Sequence, residues 1–216
     1  MSETEGVIKY QLHHSNAGLS SAIDLSELNA WRTVMFKLNL IGQNLQRYDG
    51  YGFGNISQRL ETKDLQFIIS GTQTGDLAVL GRDNYCLVTK ANPQENSIFS
   101  TGETKPSSEA LTHASVYLQN PQIQAVIHVH CPEIWQNTHN LNLAHTAADI
   151  PYGTPEMANA VTQLFKTADW QQTAVFTMLG HEDGVVAFGN SLSQAACVLI
   201  TQLSLALAIE QAQLCL

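Results

Sequence analysis

One stretch narrows the choices more than any other: residues 124–131, QAVIHVHC. Val126, Ile127 and Val129 are β-branched and the run is apolar, which predicts a β-strand. Successive side chains on a strand point to opposite faces, so His128 and His130 share one face. Two imidazoles at i and i+2 form a pair of metal ligands suited to zinc or another first-row divalent metal. Two half-exposed histidines at a strand end would fit the same letters. What favours a site is PSSEALTH, residues 106–113, just upstream.

That segment reads as a helix start, with Pro106, Ser107 or Ser108 in the first positions and Glu109 in the first turn. The unpaired N–H groups and positive dipole end of a helix start, with two hydroxyls, suit a phosphate or carboxylate. The plainer alternative is that the serines only cap and Glu109 only complements the dipole. Glu109 and His113 lie at i and i+4 and share a face. His113 reads as a packed histidine holding a hydrogen bond rather than as a ligand.

The chain of 216 residues suits one domain, taken as 1–216 with residues 1–23 as an N-terminal extension. Hydrophobic residues make up 44%, enough for a substantial core. A net charge of −9 argues against nucleic-acid and anionic-membrane partners, which need a basic surface. A local pocket can still take a small anion. The start lacks a basic region followed by an apolar one, so no signal peptide is expected. The apolar run near residues 205–209 is too short to span a bilayer. Cys86, Cys131, Cys197 and Cys215 form no CxxC pair, which suits free thiols and a cytoplasmic protein.

Taken in order, residues 7–12 form a short alternating piece, followed by HHSNAG. His13 and His14 would point to opposite strand faces, so a shared metal there is disfavoured. Residues 24–47 read as one amphipathic helix on Leu25, Leu28, Trp31, Met35, Leu38 and Ile41. YDGYGFGNIS is glycine-rich: either a turn, or backbone that must come close to a ligand. Residues 55–60 and 65–69 read as strands joined by a turn at ETKD. SGTQTG, residues 70–75, offers hydroxyls and N–H groups that can cradle an anion. Residues 85–89 read as a strand and 92–103 as a loop. A short helix is expected at 132–137, and a second at 156–167 capped by Thr154 before Pro155. Strands are expected at 175–179 and 185–188 around GHEDG, and a long apolar helix over 192–216. The irregular mixture predicts an α/β fold with a mixed sheet between helix layers.

GNIS (54–57), TQTG (72–75), PSSE with its later histidine (106–113), HVH (128–130) and PYGT (151–154) occur in this order. Together they resemble the class II aldolase/adducin family, over roughly residues 24–210. The resemblance implies a three-layer α/β/α fold with a central, largely antiparallel sheet. It implies a homotetramer in carbohydrate metabolism with active sites at subunit interfaces. It makes His128 and His130 two of three zinc-ligand histidines, and Glu109 the residue that takes or gives the proton. It makes Asn55, Thr74, Gly75, Ser107 and Ser108 the pocket for the phosphate of a small sugar phosphate or related anion. Zinc would stabilise the enediolate formed on C–C cleavage.

Two departures stand out. The family's third histidine directly precedes a glycine, a place held here by Asp183 before Gly184. His181, brought in by a one-residue bulge, or Asp183 in its place would complete the metal set. His181 is preferred because the family's ligand is imidazole. The family's aldolases also place a tyrosine in the loop after the HxH region, and LNLAHTAAD (141–149) has none. Three functions follow: an aldolase-type lyase; an epimerase, dehydratase or decarboxylase on the same scaffold; or an adducin-like interaction module without catalysis. HVH together with Glu109 weighs against the third.

Overall fold

The HVH strand lies near the middle of the molecule. The computed structural model describes residues 6–60, 65–170 and 173–215. Its strands are β1 (Gln11–Asn16), β2 (Gly42–Gln43), β3 (Gly52–Phe53), β4 (Asn55–Arg59), β5 (Phe67–Ser70), β6 (Tyr85–Asn92), β7 (Ser97–Gly102), β8 (Ala125–His130), β9 (Ala144–Thr146), β10 (Val175–Met178) and β11 (Gly184–Gly189). The helices are α1 (Ser26–Lys37), α2 (Ala110–Tyr117), α3 (Pro132–Gln136), α4 (Pro155–Thr167) and α5 (Leu192–Leu214). Nine strands form one sheet in the order β1-β7-β6-β5-β4-β8-β11-β10-β9. The β1–β7 and β9–β10 pairs are parallel and the rest antiparallel, so the sheet is mixed and largely antiparallel, as expected.

Alternation along the strands divides the core into two layers. Ile127 and Val129 of β8 join Leu28 and Met35 of α1, Ile134 of α3 and Leu199 of α5 on one face. Val126 joins Leu111 of α2, Val161 of α4 and Val186 of β11 on the other. Residues of one parity share a face, so His128 and His130 lie on the α2 and α4 side. Every β8 side chain is buried, which is why its sequence is apolar apart from the two histidines.

Several elements differ from the sequence reading. The expected helix 24–47 ends at Lys37, because Asn39 adopts φ 56° and turns the chain; Leu40 and Ile41 are buried beyond that turn. The expected loop 92–103 contains β7, paired on both sides. The early alternating piece is displaced: β1 starts at Gln11 and adds an edge strand beside β7. The ETKD turn falls outside the described residues. α2 begins at Ala110, so Ser107 and Ser108 precede the helix. His13 stacks on Phe99 and His14 bonds to Ser100, so neither shares a metal set with the other. Two glycines of GYGFG, Gly52 and Gly54, serve close backbone packing. A Cβ on Gly75 would lie 2.7 Å from Gly52 Cα and 2.2 Å from the Gly42 carbonyl oxygen.

α5 is long and apolar enough, by length and composition, to cross a membrane, with mean hydropathy 1.8 over its best window. The uninterrupted run alone concealed this, because Gln202 and Ser204 break it. A third of that window is buried, and α5 packs on β8, β11, α1 and α3.

His113 is the packed histidine the sequence suggested. Its Nδ1 lies 2.7 Å from Ser57 Oγ, which also lies 2.8 Å from the Tyr117 hydroxyl. Burial lowers the His113 pKa from 6.5 to about 3. Between these values the unfolded chain binds a proton that the folded chain does not. Stability should therefore be full above about 6.5 and fall as the pH drops toward 3. In denaturation measured across this range, His113→Gln should reduce the pH slope by about 1.4 kcal/mol per pH unit. An unchanged slope would show that His113 is not held neutral.

Candidate metal centre and anion pocket

β8 is bracketed by β4 and β11. The register sets Asn55 beside His128, and Gly184 beside His130. The chain between β10 and β11 is a tight turn, and His181 sits within it. The His181 N–H donates to the Met178 carbonyl, and the Gly184 N–H to the His181 carbonyl. A hairpin turn, not a bulge, thus carries His181 to the strand histidines.

The ligand atoms of His128, His130 and His181 all lie within 4.8 Å of one another. His130 Nε2 and His181 Nε2 are 3.1 Å apart. Two nitrogens bound at 2.0–2.1 Å in tetrahedral geometry stand about 3.3 Å apart, so this pair is close to a ligating separation. Burial first, then the His181 ring, holds the pKa of His128 and of His130 well below the usual imidazole range. Neutral imidazole is the form that binds metal. Asn55 Nδ2 lies 3.3 Å from His128 Nδ1, while the buried His128 Nε2 has no hydrogen-bond partner among the described residues. A ring fixed through one nitrogen with the other left over is the arrangement of a metal ligand. The cluster fits a divalent metal.

Glu109, fully buried at the turn before α2, has Oε1 3.8 Å from His181 Nε2. Asp183, the other candidate for third ligand, is already engaged. One of its oxygens accepts from Arg47 at 2.8 Å and from the Tyr48 hydroxyl at 2.6 Å. Tyr48 and Asp183 both have positive φ, 51° and 60°. The Tyr48 ring stands edge-on to His130 at 4.6 Å, and Tyr152 packs on His181 at 4.6 Å. Burial, then the bonded Asp183, raises the Tyr48 pKa and keeps the phenol protonated.

Asn55, Thr74, Gly75, Ser107 and Ser108 all line one small cavity. Asn55 belongs to both the cavity and the His128 contact. The TQTG loop is fixed from beneath by Arg32 of α1, a buried guanidinium that donates to the Thr74 and Leu77 carbonyls. Thr74 Oγ1 donates to the Gly71 carbonyl. Ser107 Oγ accepts the Glu109 N–H in the turn before α2, and α2 itself has no side-chain cap, so the serines do not cap it as the plainer alternative required. A larger cavity of about 500 Å³ is lined by His130 with Phe36, Gln43, Arg47, Phe53 and Leu207 among others.

Residues 43–206 match the family described as class II aldolase and adducin N-terminal domain. The chain belongs to this family. No curated protein matches it. Solved family structures are similar in fold. L-fuculose-1-phosphate aldolase from Thermus thermophilus has 18% identity and a TM-score of 0.62, covering 86% of this chain and 92% of that one. YgbL from Klebsiella pneumoniae, a candidate aldolase/epimerase/decarboxylase, has 21% identity and a TM-score of 0.62, covering 86% and 87%. A sugar-phosphate aldolase from Thermotoga maritima has 18% identity and a TM-score of 0.60, covering 86% and 94%. Class II aldolases of the family are metal-dependent, in keeping with the cluster.

Arg32, Arg47 and Tyr48 reach these sites without a role assigned from the sequence, and Tyr152 belongs to the PYGT motif but was given no role there. Arg47 and Tyr48 meet Asp183 across 136 and 135 residues, and no local pattern encodes that. The one available hint was YDG, a turn-prone triplet.

Elemental analysis should find about one divalent metal per chain. His128→Ala with His130→Ala should abolish it, His181→Ala should deplete it, and Asp183→Asn should leave it in place. Full occupancy in the double variant would contradict the cluster.

Proposed function

We propose that the protein is a metal-dependent lyase that cleaves a C–C bond of a small phosphorylated or carboxylated sugar derivative in aldolase fashion. The observation that carries this reading is the buried triad of His128, His130 and His181 with the Glu109 carboxylate against it. The hydroxyl- and amide-lined cavity adjoins it through Asn55. When bound, a divalent cation, zinc or another first-row metal, supplies Lewis-acid stabilisation of the negative charge that cleavage places on the substrate's oxygens.

The chain's own residues have separate tasks. Asn55, Thr74, Gly75, Ser107 and Ser108 hold the anionic group away from the reacting bond and position it. Burial of the triad and Glu109 keeps water from the reacting centre. Glu109 takes a proton from the substrate or returns one. Arg47 and Tyr48 hold Asp183, which fixes the turn bearing His181.

Epimerisation, dehydration or decarboxylation on the same scaffold is the second reading. It is favoured by LNLAHTAAD, which lacks the loop tyrosine, and by the fold likeness to YgbL. A panel of ketose phosphates with product identification separates the two.

In this reading the protein is cytoplasmic and homotetrameric, with residues 1–216 as one domain. Exposed Leu38, Ile200, Leu205 and Leu207 support burial of the α5 side against other copies. Light scattering should give four chains per particle; one chain would contradict it.

Glu109→Gln keeps the shape but cannot accept a proton. On the turned-over substrate it should lower kcat by about 10²–10⁴ while the fold remains intact. Metal content should fall less than in His128→Ala. Near-normal turnover would move the proton task to another group.

A further inference from the structure

The segment ahead of β1 lies outside the family match, which begins at residue 43. Even so, it is fastened to the site at three places. Gly6 lines the hydroxyl-lined cavity together with Gln73, Ser107 and Ser108. Val7 binds Tyr152 in both directions: its N–H donates to the phenol at 3.2 Å, and the phenol donates to its carbonyl at 3.3 Å. Tyr10, 5% exposed, donates its hydroxyl to the Ser107 carbonyl at 2.8 Å.

The backbone conformation at Gly6 favours glycine, and any larger side chain there would have to displace the end of Gln73. The Gly6 φ is +71°, and a Cβ there would stand 2.5 Å from Gln73 Nε2. Lys9 follows on the same segment. Its ammonium lies 3.6 Å from the centroid of the Tyr152 ring, and that ring also packs on His181. A Cβ on Gly153 would stand 3.5 Å from Lys9 Cβ and 3.6 Å from the Ser108 carbonyl oxygen, so the Lys9 stem and the Ser108 backbone both flank Gly153. The groups assigned to the anion on the cavity walls are neutral, and the chain carries −9 overall.

We propose that residues 6–10 form the outer wall of the substrate's anion site, with Gly6 closing the cavity and Lys9 contributing a cationic field. The proposal rests on reading that cavity as the anion pocket. Hydrogen bonds to an anion strengthen when water is shut out, and a nearby cation offsets the global negative charge. Tyr10 is a positioning residue: it ties the segment to the backbone of Ser107.

The test is calorimetric titration of the metal-loaded full chain with inorganic phosphate. Gly6→Val, which drives a side chain into Gln73, should weaken phosphate binding by about tenfold or more, the scale of one or two hydrogen bonds to a charged group. Deletion of residues 1–9, which spares β1, should do the same. Lys9→Gln should weaken binding by several fold, and the loss should shrink as salt rises. Ser107→Ala with Ser108→Ala tests the pocket itself. If the serine variant loses phosphate while Gly6→Val and the deletion bind as the parent does, the wall is overturned and the pocket stands. If the serine variant binds phosphate as the parent does, or the parent binds none, the pocket reading fails and the wall with it.

Discussion

Two imidazoles, His128 and His130, are held neutral in the interior by burial and by the neighbouring His181 ring, and the rest of the site depends on this. Each ring alone would be better solvated outside. The period of two along β8 sets His128 and His130 on one face, and the pairing with β11 fixes which turn stands beside them. A slip of one residue would send both histidines into the apolar layer of α1 and α5. The apolar residues between them hold the register, because Ile127 and Val129 are as firmly buried on the opposite face. Core and site are thus the same six residues read in alternation.

The polar surroundings follow from that placement. Asn55 can fix the His128 ring because β4 lies directly beside β8. Asp183 is drawn away from the cluster by Arg47 and Tyr48, leaving His181 as the turn residue in the triad. Two positive φ angles at Tyr48 and Asp183 are sustained where these side chains meet, the kind of local strain that surrounding structure must over-determine. The TQTG loop depends in turn on Arg32, whose buried charge is spent on loop carbonyls.

The legible part of the sequence was local. HVH as a strand pair, Thr154 as a cap and the fold class all came from periodicity or ordered motifs, because those signals are short-range. Thr154 Oγ1 does accept the Met157 N–H. The failures have physical causes. Apolar spacing continued from α1 through Ile41, but Asn39 turns the chain, and burial of Leu40 and Ile41 mimicked a longer helix. β7 was hidden because SIFSTG is rich in small hydroxyl residues and draws its order from pairing on both sides. The choice between His181 and Asp183 was open because a turn has no period to say which side chain faces inward. The partners that occupy Asp183 lie far away in sequence. The N-terminal segment gave no motif at all; its ties to Ser107 and Tyr152 exist only in the folded chain.

The central claim is that His128, His130 and His181 together make one metal site. X-ray absorption spectroscopy on the metal-loaded protein addresses it directly. Three imidazole nitrogens should surround the metal at about 2.0–2.1 Å if it is zinc, with oxygen completing the coordination and no sulfur. Coordination by oxygen alone, or by fewer than three imidazoles, would contradict it.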